Sequence, residues 1–161
     1  MSESQKILQR LQKLSEPKLR RLLINFSKNE LGESAELHGF GEHGVDVVAF
    51  IKPDFDPIGL GQVILIQVKK SKITMPSWRK TLSGQLSEIY FRTIRALNIN
   101  ENSPRRIVLV HNEMNTSVQD AISDWNKKMP IPIEMLSLHS LSILLERKGY
   151  KARHIKRITE S

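Results

Sequence analysis

The chain contains no cysteine, and this absence excludes disulfides, thiolate zinc centres and cysteine nucleophiles. It also lacks any uncharged apolar run long enough to span a bilayer, and its start, Met1-Ser2-Glu3-Ser4-Gln5-Lys6, has no signal-type hydrophobic segment. The expectation is a cytoplasmic protein with no membrane partner. No internal repeat or low-complexity segment is present. The five histidines, His38, His43, His111, His139 and His154, are scattered without the spacing of a metal-ligand set. Negative charge is scarce: 17 acidic residues face 25 lysines and arginines, a formal net charge of +8. Such an excess favours a polyanionic partner, because phosphates neutralised by Lys and Arg release counterions and drive association. Nucleic acid is the first candidate, although small basic proteins that bind nothing in particular are also common. At 161 residues the chain fits one α/β domain with a sizeable core.

Two stretches organise the rest. Val63-Ile64-Leu65-Ile66-Gln67-Val68-Lys69-Lys70 is apolar, rich in β-branched residues and free of Pro and Gly, so it predicts a strand buried on both faces. Side chains alternate along a strand, so Gln67 and Lys69 share one face while Ile66 and Val68 take the other. The earlier stretch, Gly44-Val45-Asp46-Val47-Val48-Ala49, opens a second short apolar strand with a carboxylate, directly after the glycine-rich loop at 39–44. An Asp opening a strand is often a turn cap, and an Asp followed at a distance by Gln-x-Lys is common by chance. The placement singles this pair out: two consecutive predicted strands, preceded by a helix and followed by a basic loop and an amphipathic helix.

These residues resemble the PD-(D/E)xK nucleases with the restriction-endonuclease-like fold, and most closely their Mrr-type branch. The resemblance is carried by Gly41-Glu42-His43-Gly44-Val45-Asp46-Val47-Val48-Ala49 and by Leu65-Ile66-Gln67-Val68-Lys69-Lys70, with a later strand at Ile107-Val108-Leu109-Val110. It implies a three-layer αβα core around a mixed sheet of about five strands, built as αβββαβ with a C-terminal αβα extension. It implies that Asp46 is the metal-binding carboxylate, Gln67 the variable second ligand and Lys69 the catalytic lysine. The backbone carbonyl of Val68 would help hold Mg²⁺, for which Mn²⁺ could substitute, and Glu16 or Glu30 on the preceding helix would add a carboxylate. The activity implied is metal-dependent hydrolysis of DNA phosphodiesters, double-stranded DNA being the partner. A neutral Gln67 leaves open a module that keeps the fold and binds DNA without turnover. Cutting a duplex needs two sites on opposite strands, so a homodimer is compatible with the activity. The sequence does not decide whether this is a whole protein or a domain of a longer one.

Along the chain, helices are expected around Ile7, Leu8, Leu11 and Leu14, and from Ser15-Glu16-Pro17 through Leu19, Leu22, Leu23 and Phe26. A strand is expected over 34–40, and a turn-rich connection after Lys52 returns the chain antiparallel into the Gln67 strand. Lys70, Lys72, Arg79 and Lys80 then form a basic loop suited to DNA-backbone phosphates, with Trp78 either stacking on a nucleotide or packing inward. From about Ser77 to Leu97 an amphipathic helix is expected, whose Gln85 either bonds a buried backbone group or points into the site. A right-handed crossover then leads to a parallel strand over 106–111. A helix over 116–128, a proline-flanked edge strand over 130–136 and a helix ending at Lys148-Gly149 complete the pattern. The organisation expected is one domain over 1–161: helices to 32, a catalytic core over 33–111, a sheet extension over 112–149 and a basic tail over 150–161.

Overall fold

The computed structural model describes residues 1–30, 33–36, 47–51, 62–82, 84, 105–129 and 131–160. The glycine-rich loop, Asp46, the connection after Ile51, and Gln85 lie outside the described residues.

Helix α1 (Glu3–Lys13) starts on a capping box in which Ser2 and Gln5 bond each other's backbone N–H. It stops where Leu14 turns extended, and α2 (Glu16–Glu30) begins at once. Ser15 accepts the N–H of Lys18 at 3.4 Å, and Pro17 sits in the first turn, where its missing N–H is no loss. Strands β1 (Glu33–Glu36), β2 (Val47–Ile51), β3 (Gln62–Lys69), β4 (Arg105–His111) and β5 (Ile133–Ser137) lie side by side in that order. The pairs β1/β2 and β2/β3 are antiparallel, whereas β3/β4 and β4/β5 are parallel. The sheet is thus mixed, with β3 at the junction of its two halves.

Alternation along the central strands divides two apolar cores. Ile64, Ile66, Val68 and Val110 pack with α1, α2, α5 (Leu138–Arg147) and α6 (Ala152–Glu160) on one face. Val63, Leu65, Ile107 and Leu109 pack on the other with Ile73, Trp78 and α4 (Thr116–Lys128). Helices cover both faces, which is why β3 carries apolar side chains in both directions.

Three expectations need correction. The helix after the basic loop begins earlier, with the one-turn α3 (Met75–Ser77) capped by Thr74, and passes into a π-type turn over Trp78–Leu82. The last stretch is no loose tail: α6 buries Ile155 and Thr159, and its ends are tied down by Glu3, which accepts the N–H of Ala152 at 2.8 Å, and by Arg21, which donates to the carbonyl of Thr159 at 3.4 Å. Gly149, at φ 88°, makes the turn that separates α6 from α5, a conformation that L side chains rarely adopt. Trp78 is the third, treated below. Among the described residues no helix is long and apolar enough to cross a membrane.

Candidate functional site

The carboxyl ends of β3 and β4, two parallel neighbours, bring Gln67, Lys69 and His111 onto one face of the sheet. The register pairs Lys69 with His111 and Gln67 with Leu109, so His111 flanks the lysine directly and lies diagonal to the glutamine. Carboxyl ends of parallel strands are where open α/β sheets place their ligands, because the chain turns away there and leaves a crevice.

Two buried polar atoms at this edge have no hydrogen-bond partner among the described residues: Oε1 of Gln67 and Nδ1 of His111. Gln67 is only 7% exposed and His111 only 8%, so bulk water does not satisfy them. An unpaired buried polar atom costs about 1–3 kcal/mol. Ser27 Oγ and Trp125 Nε1 are also unpaired among the described residues, but they stand apart in the two cores, whereas Gln67 and His111 lie together on neighbouring strands beside Lys69. Burial pushes the His111 imidazole below its ordinary pKa by penalising the charged form, so it is neutral at neutral pH. Lys69 between them is half-buried. His111 was missed in the sequence because the histidines were judged by their spacing along the chain, whereas strand pairing sets this contact. The signal available was a polar residue ending an apolar strand predicted to run parallel to the Lys69 strand.

Helix α2 approaches the same edge from the other face. The backbone N–H of Lys70 donates to Oε1 of Glu16 at 2.9 Å, and the Lys70 ammonium donates to the carbonyl of Leu14. Glu16 therefore stands one residue from Lys69 in the chain direction of β3. Glu30 does not. It lies 14 residues further along the helix, about 21 Å at 1.5 Å per residue, where it pairs with Lys148 at 3.9 Å. Of the two glutamates, the docking of the α2 N-terminus on the end of β3 brings Glu16, and not Glu30, near Lys69.

The basic loop is anchored. Ile73, fully buried, bridges to Met114 after β4: its N–H donates to the Glu113 carbonyl at 3.0 Å, and its own carbonyl accepts from Asn115 at 3.2 Å. Lys72 is exposed on this fixed loop, and Arg79 and Lys80 are exposed on the π-type turn that follows it. Lys70 is a clamp on the α1–α2 turn. Trp78 is not available to a nucleotide: it is 6% exposed and packs edge to face on Trp125, with ring centroids 5.8 Å apart and planes at 80°. The stacking expectation is corrected in favour of packing. Val68 faces the other core, and its register partner is Val110. Asp46 and Gln85 lie outside the described residues; Val47, to which Asp46 is bonded, pairs with Ile66, the neighbour of Gln67.

Could these residues hold a cation? The oxygen donors at this edge are the Gln67 amide on one face of the sheet and the Glu16 carboxylate, which reaches the end of β3 from the other face; oxygen suits hard Mg²⁺ or Mn²⁺ and not a soft metal. The unpartnered Oε1 of Gln67 is the feature such an ion would satisfy. Among the described residues no group of three His, Asp or Glu side chains converges.

No protein-family model matches the sequence, and neither does any curated protein sequence. Two solved structures are similar in fold. The MspJI restriction endonuclease in complex with a 27-mer oligonucleotide aligns over 96% of this chain and 35% of its own, at 15% identity and a TM-score of 0.55. The restriction endonuclease FokI bound to DNA aligns over 94% of this chain and 28% of its own, at 10% identity and a TM-score of 0.51. The chain therefore spans about a third of each of these proteins. Mixed sheet, two helical layers and these two likenesses together give the conclusion: the chain has the restriction-endonuclease-like fold.

Proposed function

We propose that the chain is a metal-dependent DNA endonuclease domain of Mrr type, acting on double-stranded DNA in restriction or another defence against foreign DNA. The observation that carries this is the pair of buried polar atoms, unpartnered among the described residues, beside Lys69 at the carboxyl edge of a restriction-endonuclease-like sheet. Asp46, Gln67 and the Val68 carbonyl would hold the metal, with Glu16 as the additional carboxylate. The bound ion supplies Lewis acidity toward the scissile phosphate and lowers the pKa of its water. Lys69 orients the attacking water and stabilises the extra negative charge as the oxygen–phosphorus bond forms and the bond to the leaving sugar oxygen breaks. His111, neutral, accepts a hydrogen bond from that water and so holds it beside Lys69. Lys72, Arg79 and Lys80 hold the DNA backbone without reading bases. Gln85 would complete the helix side of the site.

One observation favours a second reading. The described residues converge no three-ligand cluster, and Gln67 offers a neutral oxygen where a carboxylate would bind a cation more tightly. A module that binds DNA without cutting it fits that weakness. Plasmid DNA incubated with the parent protein and Mg²⁺ or Mn²⁺ decides between them. Cutting by the parent, lost in Asp46→Ala and Lys69→Ala, supports the nuclease; binding without cutting supports the module; equal cutting by all three proteins refutes the assigned site.

A further inference from the structure

Outside the candidate site, a concentration of unneutralised positive charge lies where α1, the turn into α2, and α6 meet. A cleft of about 240 Å³ opens there. Its lining includes Arg10 and Lys13 from α1, Lys18 from the first turn of α2, and Lys156 from α6, against a single carboxylate, that of Glu160. The side chains of the four cations make no ion pair and no hydrogen bond among the described residues. Arg10 and Lys13 are also three apart on one helix, where like charges repel. Three segments distant in sequence thus converge positive charge with almost nothing to offset it.

The cleft is built on fixed elements and adjoins the site. Its wall includes Leu14, whose carbonyl accepts the Lys70 ammonium at the end of β3, and Ser15, whose hydroxyl caps α2. The helix that carries Lys156 is held at one end by Glu3 and at the other by Arg21, with Ile155 fully buried beneath it. The backbones that carry these cations are already in place, so an anion bound here orders only their side chains.

We infer that this cleft is a second phosphate-binding surface, which grips the DNA backbone where it runs past the site and over the α1–α2 corner. This rests on the reading of the chain as a DNA-acting domain, and it assigns to the N-terminal and C-terminal helices a role in docking that the basic loop alone would otherwise fill. Because only phosphates are met, the contact carries affinity and orientation without sequence preference.

The test measures duplex affinity across a salt series for the parent, for the triple variant Lys13→Ala/Lys18→Ala/Lys156→Ala, and for Lys128→Ala, an exposed lysine on α4 over the opposite face. Each lost contact should make the slope of log affinity against log salt shallower by about 0.9. The triple variant should therefore lose about three such steps, and Lys128→Ala none. Thermal melting of the triple variant at the parent's temperature shows that its fold is retained, all three positions being exposed. A shallower slope in the triple variant supports the cleft even where the parent cuts nothing, in which case the nuclease reading alone fails. A parent that cuts DNA while the triple variant keeps the parental slope overturns the cleft and leaves the nuclease standing. A slope lost equally in Lys128→Ala also overturns it, since the effect would then be net charge. So does a variant that binds duplex normally but loses binding of inorganic phosphate, which would make the cleft a pocket for free anions.

Discussion

Replacing Gln67 by leucine should make the protein more stable while silencing it. The side chain is 7% exposed, its Oε1 has no partner among the described residues, and the same strand face carries Val63 and Leu65, with Ile107 and Leu109 on the neighbouring strand. Leaving that oxygen unpaired in such surroundings costs about 1–3 kcal/mol, and leucine removes the polar group at similar volume. Most substitutions at buried positions lower stability by about 1 kcal/mol, so the sign of the change is itself diagnostic. For a chain of 161 residues each kcal/mol moves Tm by roughly 2–4 °C. A gain of about 1–2 kcal/mol therefore appears as a rise of roughly 2–8 °C, measured by thermal and denaturant unfolding with divalent ions chelated. The proposed cutting activity should disappear in the same variant, because leucine offers a cation no oxygen. A Tm lowered by several degrees would refute the reasoning: it would mean that the Gln67 amide is satisfied in the folded protein and that no ligand is needed to explain it.

Two other outcomes follow from the same structure. Because burial depresses the His111 pKa, the unfolded chain binds a proton there that the folded chain resists. Stability is then full above about 6.5, the ordinary histidine value, and falls as pH drops below it. His111→Leu should flatten the fall of unfolding free energy below about pH 6.5, and an unchanged profile would show that the imidazole is not desolvated. Trp78→Ala should cost about 3–5 kcal/mol in denaturant unfolding, given its burial and its edge-to-face contact with Trp125. A loss under about 1 kcal/mol would instead mark a ring outside the core and reopen its role as a nucleotide contact.

What the sequence by itself determined was whatever depends on neighbours along the chain. The β-branched run over 63–68 specified a doubly buried strand, and its alternation placed Gln67 and Lys69 on one face. Apolar spacing marked α1, and apolar spacing with Ser15 and Gly149 near the ends marked α2 and α5. The turn-rich stretch before β3 and the long crossover before β4 implied an antiparallel pair and then a parallel one, as observed. Helix α6 was also legible in the spacing of Ala152, Ile155 and Thr159, but its basic residues drew attention to charge instead of periodicity. Tertiary structure alone decided the rest, because those features depend on which surfaces meet. Glu16 and Glu30 have the same chemistry on the same helix, and only the seating of the α2 N-terminus on β3 separates them. Trp78 followed a run of cations in the chain, yet Trp125 on α4 draws it into the core. His111 became notable only when β4 lay against β3 in a register that sets it beside Lys69, and the cations of the α1–α6 cleft converge only because α6 folds back on the helices that begin the chain.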